Sequence, residues 1–87
     1  MSINENENTI IIKAPLVGTY YSSSKPGDPP FINEGDSIIK GQIICIIEAM
    51  KIFNEIESEV SGKIVKVLAD ESSPVEFDQP LFLVDPS

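Results

Sequence analysis

Three short apolar runs stand out from an otherwise polar chain: Ile10-Ile11-Ile12, Ile43-Ile44-Cys45-Ile46-Ile47 and Pro80-Leu81-Phe82-Leu83-Val84. Each is about five residues or fewer, rich in β-branched or aromatic side chains and bounded by turn formers, which predicts strands. Pro15, Gly18, Gly35, Gly41, Gly62 and Pro74 punctuate the rest, and Glu34-Gly35-Asp36 reads as a tight turn. Residues 1–8 are polar and are expected to fray.

The runs recur. Shifting the first half by 44 residues places Ile12 on Ile56, Gly18 on Gly62 and Tyr20 on Ile64. A shift of 37 places Ile38 on Val75, Gln42 on Gln79, Cys45 on Phe82, Ile47 on Val84 and Glu48 on Asp85. The offsets differ by seven residues, matching an insertion in the first half around Ser22 to Pro30. An internal repeat of this kind puts Ala49-Met50-Lys51 at the join between halves.

Between residues 49 and 68 the pattern supports two readings. Ala49, Ile52, Phe53, Ile56, Val60, Ile64, Val67 and Leu68 follow the three–four spacing of an amphipathic helix. Gly62 would weaken that helix by only about 1 kcal/mol. The other reading puts Ile52, Ile56, Val60, Ile64 and Leu68 on one face of two strands joined at Ser61-Gly62. The equivalent stretch of the first half contains Pro15 and Gly18, so the repeat favours strands.

Composition narrows the function classes. Eighty-seven residues make one small domain, and the lack of tryptophan demands an aliphatic core. Fourteen acidic groups oppose six lysines, with no arginine, for a formal charge of −8. Such a surface repels a phosphate backbone, so nucleic acid is not an expected partner. No apolar run approaches a membrane span, and the N-terminal residues lack the basic and apolar regions of a secretory signal. A single Cys45 in an apolar run reads as a buried hydrophobe in a reducing compartment. With no histidine, Cys/His zinc sites and histidine-based triads are excluded. Glu55, Glu57 and Glu59 alternate along one face and read as a solvated edge rather than a metal site.

Any one lysine is by default a solvated surface residue, and position singles one out. An amine presented clear of the sheet can be acylated by a mixed anhydride, and Lys51 stands at the join of the two halves beside small Ala49 and flexible Met50. Glu48-Ala49-Met50-Lys51 is the motif of biotinyl domains. The stretch Ala14 to Tyr21, Glu34-Gly35-Asp36, Asn54 to Glu57, Ser61-Gly62 and Pro74 to Phe77 resemble the biotin carboxyl carrier proteins of bacterial and plastid acetyl-CoA carboxylase, over about residues 10–85.

The resemblance implies an all-β fold: a flattened β-barrel of two four-stranded antiparallel sheets with quasi-twofold symmetry, spanning residues 9–87. It implies biotin joined by an amide to Lys51, with Ala49 and Met50 completing the attachment motif and Glu48 and Glu55 flanking it. It implies a thumb at about residues 23–31, with Ser23 where a hydroxyl can contact the ureido group of biotin. The implied partners are biotin ligase, biotin carboxylase and carboxyltransferase. The implied role is non-catalytic carriage of a carboxyl group toward malonyl-CoA and fatty-acid synthesis, in the cytoplasm or plastid stroma. Ile52 replaces the usual methionine after the lysine, an apolar exchange. Bacterial carriers of this type usually have an N-terminal region and an Ala/Pro-rich linker before the biotinyl domain, so the resemblance leads us to expect an isolated domain or an unusually short carrier. Three other readings stay open: a lipoyl carrier, which usually shows Asp-Lys-Ala at the tip; an unmodified β-adaptor; and a helical module on residues 49–68.

Overall fold

The computed structural model describes residues 8–86. The expectation for residues 1–8 therefore lies outside the described residues except at Asn8. Eight strands follow in order: β1 (Ile10–Lys13), β2 (Gly18–Tyr21), β3 (Ser37–Ile38), β4 (Ile43–Ala49), β5 (Ile52–Glu57), β6 (Gly62–Val67), β7 (Pro74–Val75) and β8 (Pro80–Asp85). They form two four-stranded antiparallel sheets, ordered β1-β8-β6-β3 and β5-β4-β2-β7. No described residue is helical.

Replacing β1, β8, β6 and β3 by β5, β4, β2 and β7 turns one sheet into the other, which is the expected quasi-twofold relation. It extends to single bonds. The Gly41 N–H donates to Ser58 O and the Ser58 N–H to Gln42 O; Asp78 N–H donates to Ala14 O and Ala14 N–H to Gln79 O, all at 2.8 Å. The side chains of Gln42 and Gln79 each accept from the main chain three residues earlier, Ile39 at 3.0 Å and Glu76 at 2.9 Å. Each pair obeys the offsets of 44 and 37.

Gly18 and Gly62 are equivalent because both must let a strand pass close to another main chain. A Cβ on Gly18 would lie 2.3 Å from Glu48 O, and one on Gly62 2.3 Å from Asp85 O. Ile12, Tyr20, Ile38, Ile44, Cys45, Ile47 and their mates Ile56, Ile64, Val75, Leu81, Phe82 and Val84 fill one core between the sheets. Bulges at Ile44 and Leu81 let two successive residues face inward, so these strands show no simple alternation.

The segment 49–68 is strand, link and strand, with a correction to the shared face. β5 and β6 lie in different sheets, so residues 58–61 form a crossover rather than a hairpin turn. Ile56 and Ile64 are buried, but Ile52 is exposed near the end of its strand. A register shift between Ile64 and Lys66 moves the inward position to Val67 and leaves Leu68 41% exposed.

Candidate functional site

β4 and β5 are joined by two residues only. Ala49 pairs with Ile52, and Met50 and Lys51 between them have φ of 53° and 67°. Two positive φ angles are the requirement of a type I′ turn, normally met by Asn-Gly. For other L-residues the left-handed conformation costs about 1–2 kcal/mol each. The β4–β5 ladder on either side holds the tip in this geometry. Both side chains project into solvent, Met50 at 93% exposure. Lys51 makes no hydrogen bond or ion pair with any described residue. Its amine is unengaged on a rigid support, the state in which acylation to an amide needs no prior rupture of a contact.

Behind the tip, the sheet face turned away from the core carries Tyr21, Ile46, Glu48 and Phe53. Tyr21 pairs with Ile46 and Glu48 with Phe53 across the ladders. The Tyr21 hydroxyl donates to Glu48 Oε1 at 3.3 Å, and its ring stands 6.2 Å from that of Phe53. Lost hydration, then the charge and hydrogen bond of Glu48, then the charge of Glu71 raise the Tyr21 phenol above its ordinary value.

Residues 22–36 link β2 to β3, fifteen residues against eight in the equivalent stretch 66–73 of the second half, so the seven-residue excess sits in this loop. Phe31 N–H donates to Ser22 O at 2.8 Å and closes its root. Between the loop and the sheet lies a cavity of about 400 Å³, with Tyr21, Phe53, Glu71 and Ser72 on one wall and residues 23–27 on the other. Ser23 is buried in the loop wall, and its Oγ donates to Lys25 O at 2.9 Å. Its proton is committed, so toward a ligand Ser23 can only accept.

The fold thus brings Ala49, Met50 and Lys51 together at the tip and sets Ser23 in the adjoining cavity. Glu55 is not part of it; it lines a separate depression with Ile12, Lys13, Glu57 and Glu59. Tyr21, Phe53 and Glu71 were not anticipated. The repeat held a signal for Glu71, which falls on Glu34 at an offset of 37.

The family model described as "Biotin-requiring enzyme" matches residues 10–84. The chain belongs to this family. Among curated relatives, it is 55% identical over 75 residues to the biotin carboxyl carrier protein of acetyl-CoA carboxylase 2, chloroplastic, of Arabidopsis thaliana, covering 86% of this chain and 29% of that protein. It is 48% identical over 77 residues to the biotin carboxyl carrier protein of acetyl-CoA carboxylase of Pseudomonas aeruginosa, covering 88% and 49% respectively. The chain spans less than half the length of either relative. Two solved structures share the fold. One is a single-chain, multi-domain long-chain acyl-CoA carboxylase (TM-score 0.79, 20% identity, 99% of this chain and 8% of that one). The other is the urea carboxylase of Kluyveromyces lactis (TM-score 0.76, 23% identity, 97% and 7%).

The residues present fit the group the biotin-requiring family is named for. An amide tether needs an unengaged amine, which Lys51 offers. A bicyclic urea offers an apolar ring, two N–H donors and a carbonyl; the cavity presents aromatic side chains, hydroxyls and the Glu71 carboxylate.

Proposed function

We propose that this chain is the biotin carboxyl carrier domain of an acetyl-CoA carboxylase, with biotin attached to the Nζ of Lys51. The reading rests above all on one observation: the motif lysine is unengaged at a strained two-residue tip, midway along a domain that matches the family over residues 10–84. The carrier unit spans residues 9–87, with the thumb at about 23–31.

Loading is an acyl transfer. The Lys51 amine attacks an adenylate-activated carboxyl group, an N–C bond forms, the adenylate leaves with the C–O bond's electrons, and the nitrogen gives up one proton to solvent. Biotin ligase supplies that activation. Ala49, small and half-buried, lets the enzyme approach the strand end; Met50 offers it an exposed apolar contact; Glu48 gives it a fixed charge. Once attached, biotin supplies a ureido nitrogen that takes up and gives back a carboxyl group. The chain's own residues make no bond in that exchange. They tether, so that biotin carboxylase and carboxyltransferase meet the group at high effective concentration. Ser23, whose Oγ proton is given to Lys25 O, would accept a ureido N–H in the cavity. The setting is the bacterial cytoplasm or plastid stroma, as the relatives' sources suggest.

Co-expression with a biotin ligase, read by streptavidin blotting and intact mass, tests the assignment. Lys51→Arg abolishes the signal, whereas Lys40→Arg and Lys63→Arg leave it intact. A folded wild-type chain that never gains the biotinyl mass would overturn the reading.

A further inference from the structure

The quasi-twofold symmetry exposes a residue whose job differs between the halves. Glu34 Oε2 accepts the Val67 N–H at 3.1 Å, and its mate Glu71 accepts the Ser22 N–H through Oε1 at 2.8 Å. Both carboxylates reach across to the end of a strand in the other half. In the first case the bond only fastens strand β6 as it leaves its sheet. In the second it fastens Ser22, the first residue of the inserted loop, whose carbonyl also accepts from Phe31 at the loop's far root. One carboxylate therefore governs both roots of the thumb.

Its own support is rigid. Ser72 N–H donates to Tyr20 O at 2.8 Å and Tyr20 N–H donates to Ser73 O at 2.9 Å, pinning the β6–β7 link to β2. Ser72 adopts φ 62° there, as Gly35 adopts 93° in the other half. Glu71 also lines the cavity under the thumb, while its second oxygen has no hydrogen-bond partner among the described residues. A charge-assisted bond to a main-chain amide is stronger than a neutral one, so it suits a latch on an otherwise exposed loop.

We infer that Glu71 is a positioning residue: by latching Ser22 it holds the thumb over the cavity, and so sets how far the group on Lys51 is sheltered. The sheltering part rests on the carrier reading; the latch does not.

Amide hydrogen exchange on the unmodified full chain tests the latch. Glu71→Ala accelerates exchange at Phe31 about tenfold, the loss of one protecting hydrogen-bonded closure. Glu71→Gln, whose amide oxygen still accepts but without the charge, gives an acceleration between wild type and Glu71→Ala. Glu34→Ala removes the mate bond, accelerating Val67 but not Phe31. Unchanged Phe31 exchange in Glu71→Ala overturns the latch, and so does equal acceleration by Glu34→Ala, which would signify general loosening. On the biotinylated chain, Glu71→Ala also speeds avidin capture several-fold while Glu34→Ala does not; equal capture rates overturn the sheltering role. Because the exchange arm needs no biotin, its failure is distinct from a failure of Lys51 to be loaded.

Discussion

Replacing Met50-Lys51 by Asn-Gly isolates the strain in the tip. Both residues sit at positive φ, and both side chains are exposed, so the exchange removes little packing. Relief of two left-handed L-residues is worth about 2–4 kcal/mol at most. Asparagine keeps part of the cost, and glycine at position 51 adds about 0.4–1 kcal/mol of unfolded-state entropy. A net gain of about 1–2 kcal/mol remains. For a domain of this size that corresponds to a rise in Tm of roughly 5–15 °C. Thermal and urea denaturation of the unmodified chain, followed by circular dichroism, measure it directly. The double variant should be more stable and incapable of modification. A Tm equal to or below that of the wild type would refute the idea that the tip is held in an unfavourable geometry by its flanking strands.

Gly18→Ala and Gly62→Ala should each destabilise by about 2–3 kcal/mol or more, because the new methyl meets a main-chain oxygen rather than a yielding side chain; a loss below about 0.5 kcal/mol in chemical denaturation would contradict the close approach. Burial pushes the Cys45 thiol up to about 12 and raises the Tyr20 phenol above its ordinary range, chiefly through desolvation, with the charges of Cys45 and Glu71 adding to the latter. In both groups the folded state holds its proton more tightly than the unfolded one. Their contribution is complete below the unfolded values of about 8.5 and 10 and is lost as pH rises above them. Urea midpoints should therefore fall between pH 9 and 11, and Cys45 should resist thiol reagents at pH 8 until the chain unfolds. A flat profile, or stoichiometric labelling of the native protein, would contradict this.

Much of the fold was legible because the chain states its plan twice. Ile12 and Ile56, Tyr20 and Ile64, and Ile47 and Val84 occupy matched core positions, and each pair was visible as an offset in sequence. The helix-like spacing of residues 49–68 was ambiguous for a physical reason. It combines one strand, a crossover and a second strand whose bulge changes its inward parity. The tip lacks the Asn-Gly signal that marks most two-residue hairpins, since its residues were not chosen for the turn. The cavity was hidden because Tyr21, Phe53 and Glu71 meet only through strand register and the seating of the thumb, neither of which local pattern encodes. The place of Lys51 at the hairpin tip was legible through a motif and a midpoint, not through any property of lysine.

The pairing of the strands also fixes an order of events during synthesis. Of the six ladders, four join a strand of the first half to one of the second: β1–β8, β2–β7, β3–β6 and β4–β5. Neither half is a folding unit, because each sheet interleaves both. β8, the last of these eight strands in chain order, lies between β1 and β6 and supplies Leu81, Phe82 and Val84 to the core. A ribosome-bound chain that has passed Lys51 but not yet Val84 lacks β8, so the sheet opposite the hairpin is missing a central strand and the core is open. Such non-local topologies fold in about milliseconds to seconds, slowly for a domain this short. On the proposed reading, a ligase that recognises the braced tip would meet the domain only once β8 has joined its sheet, so loading of Lys51 would follow folding of the domain.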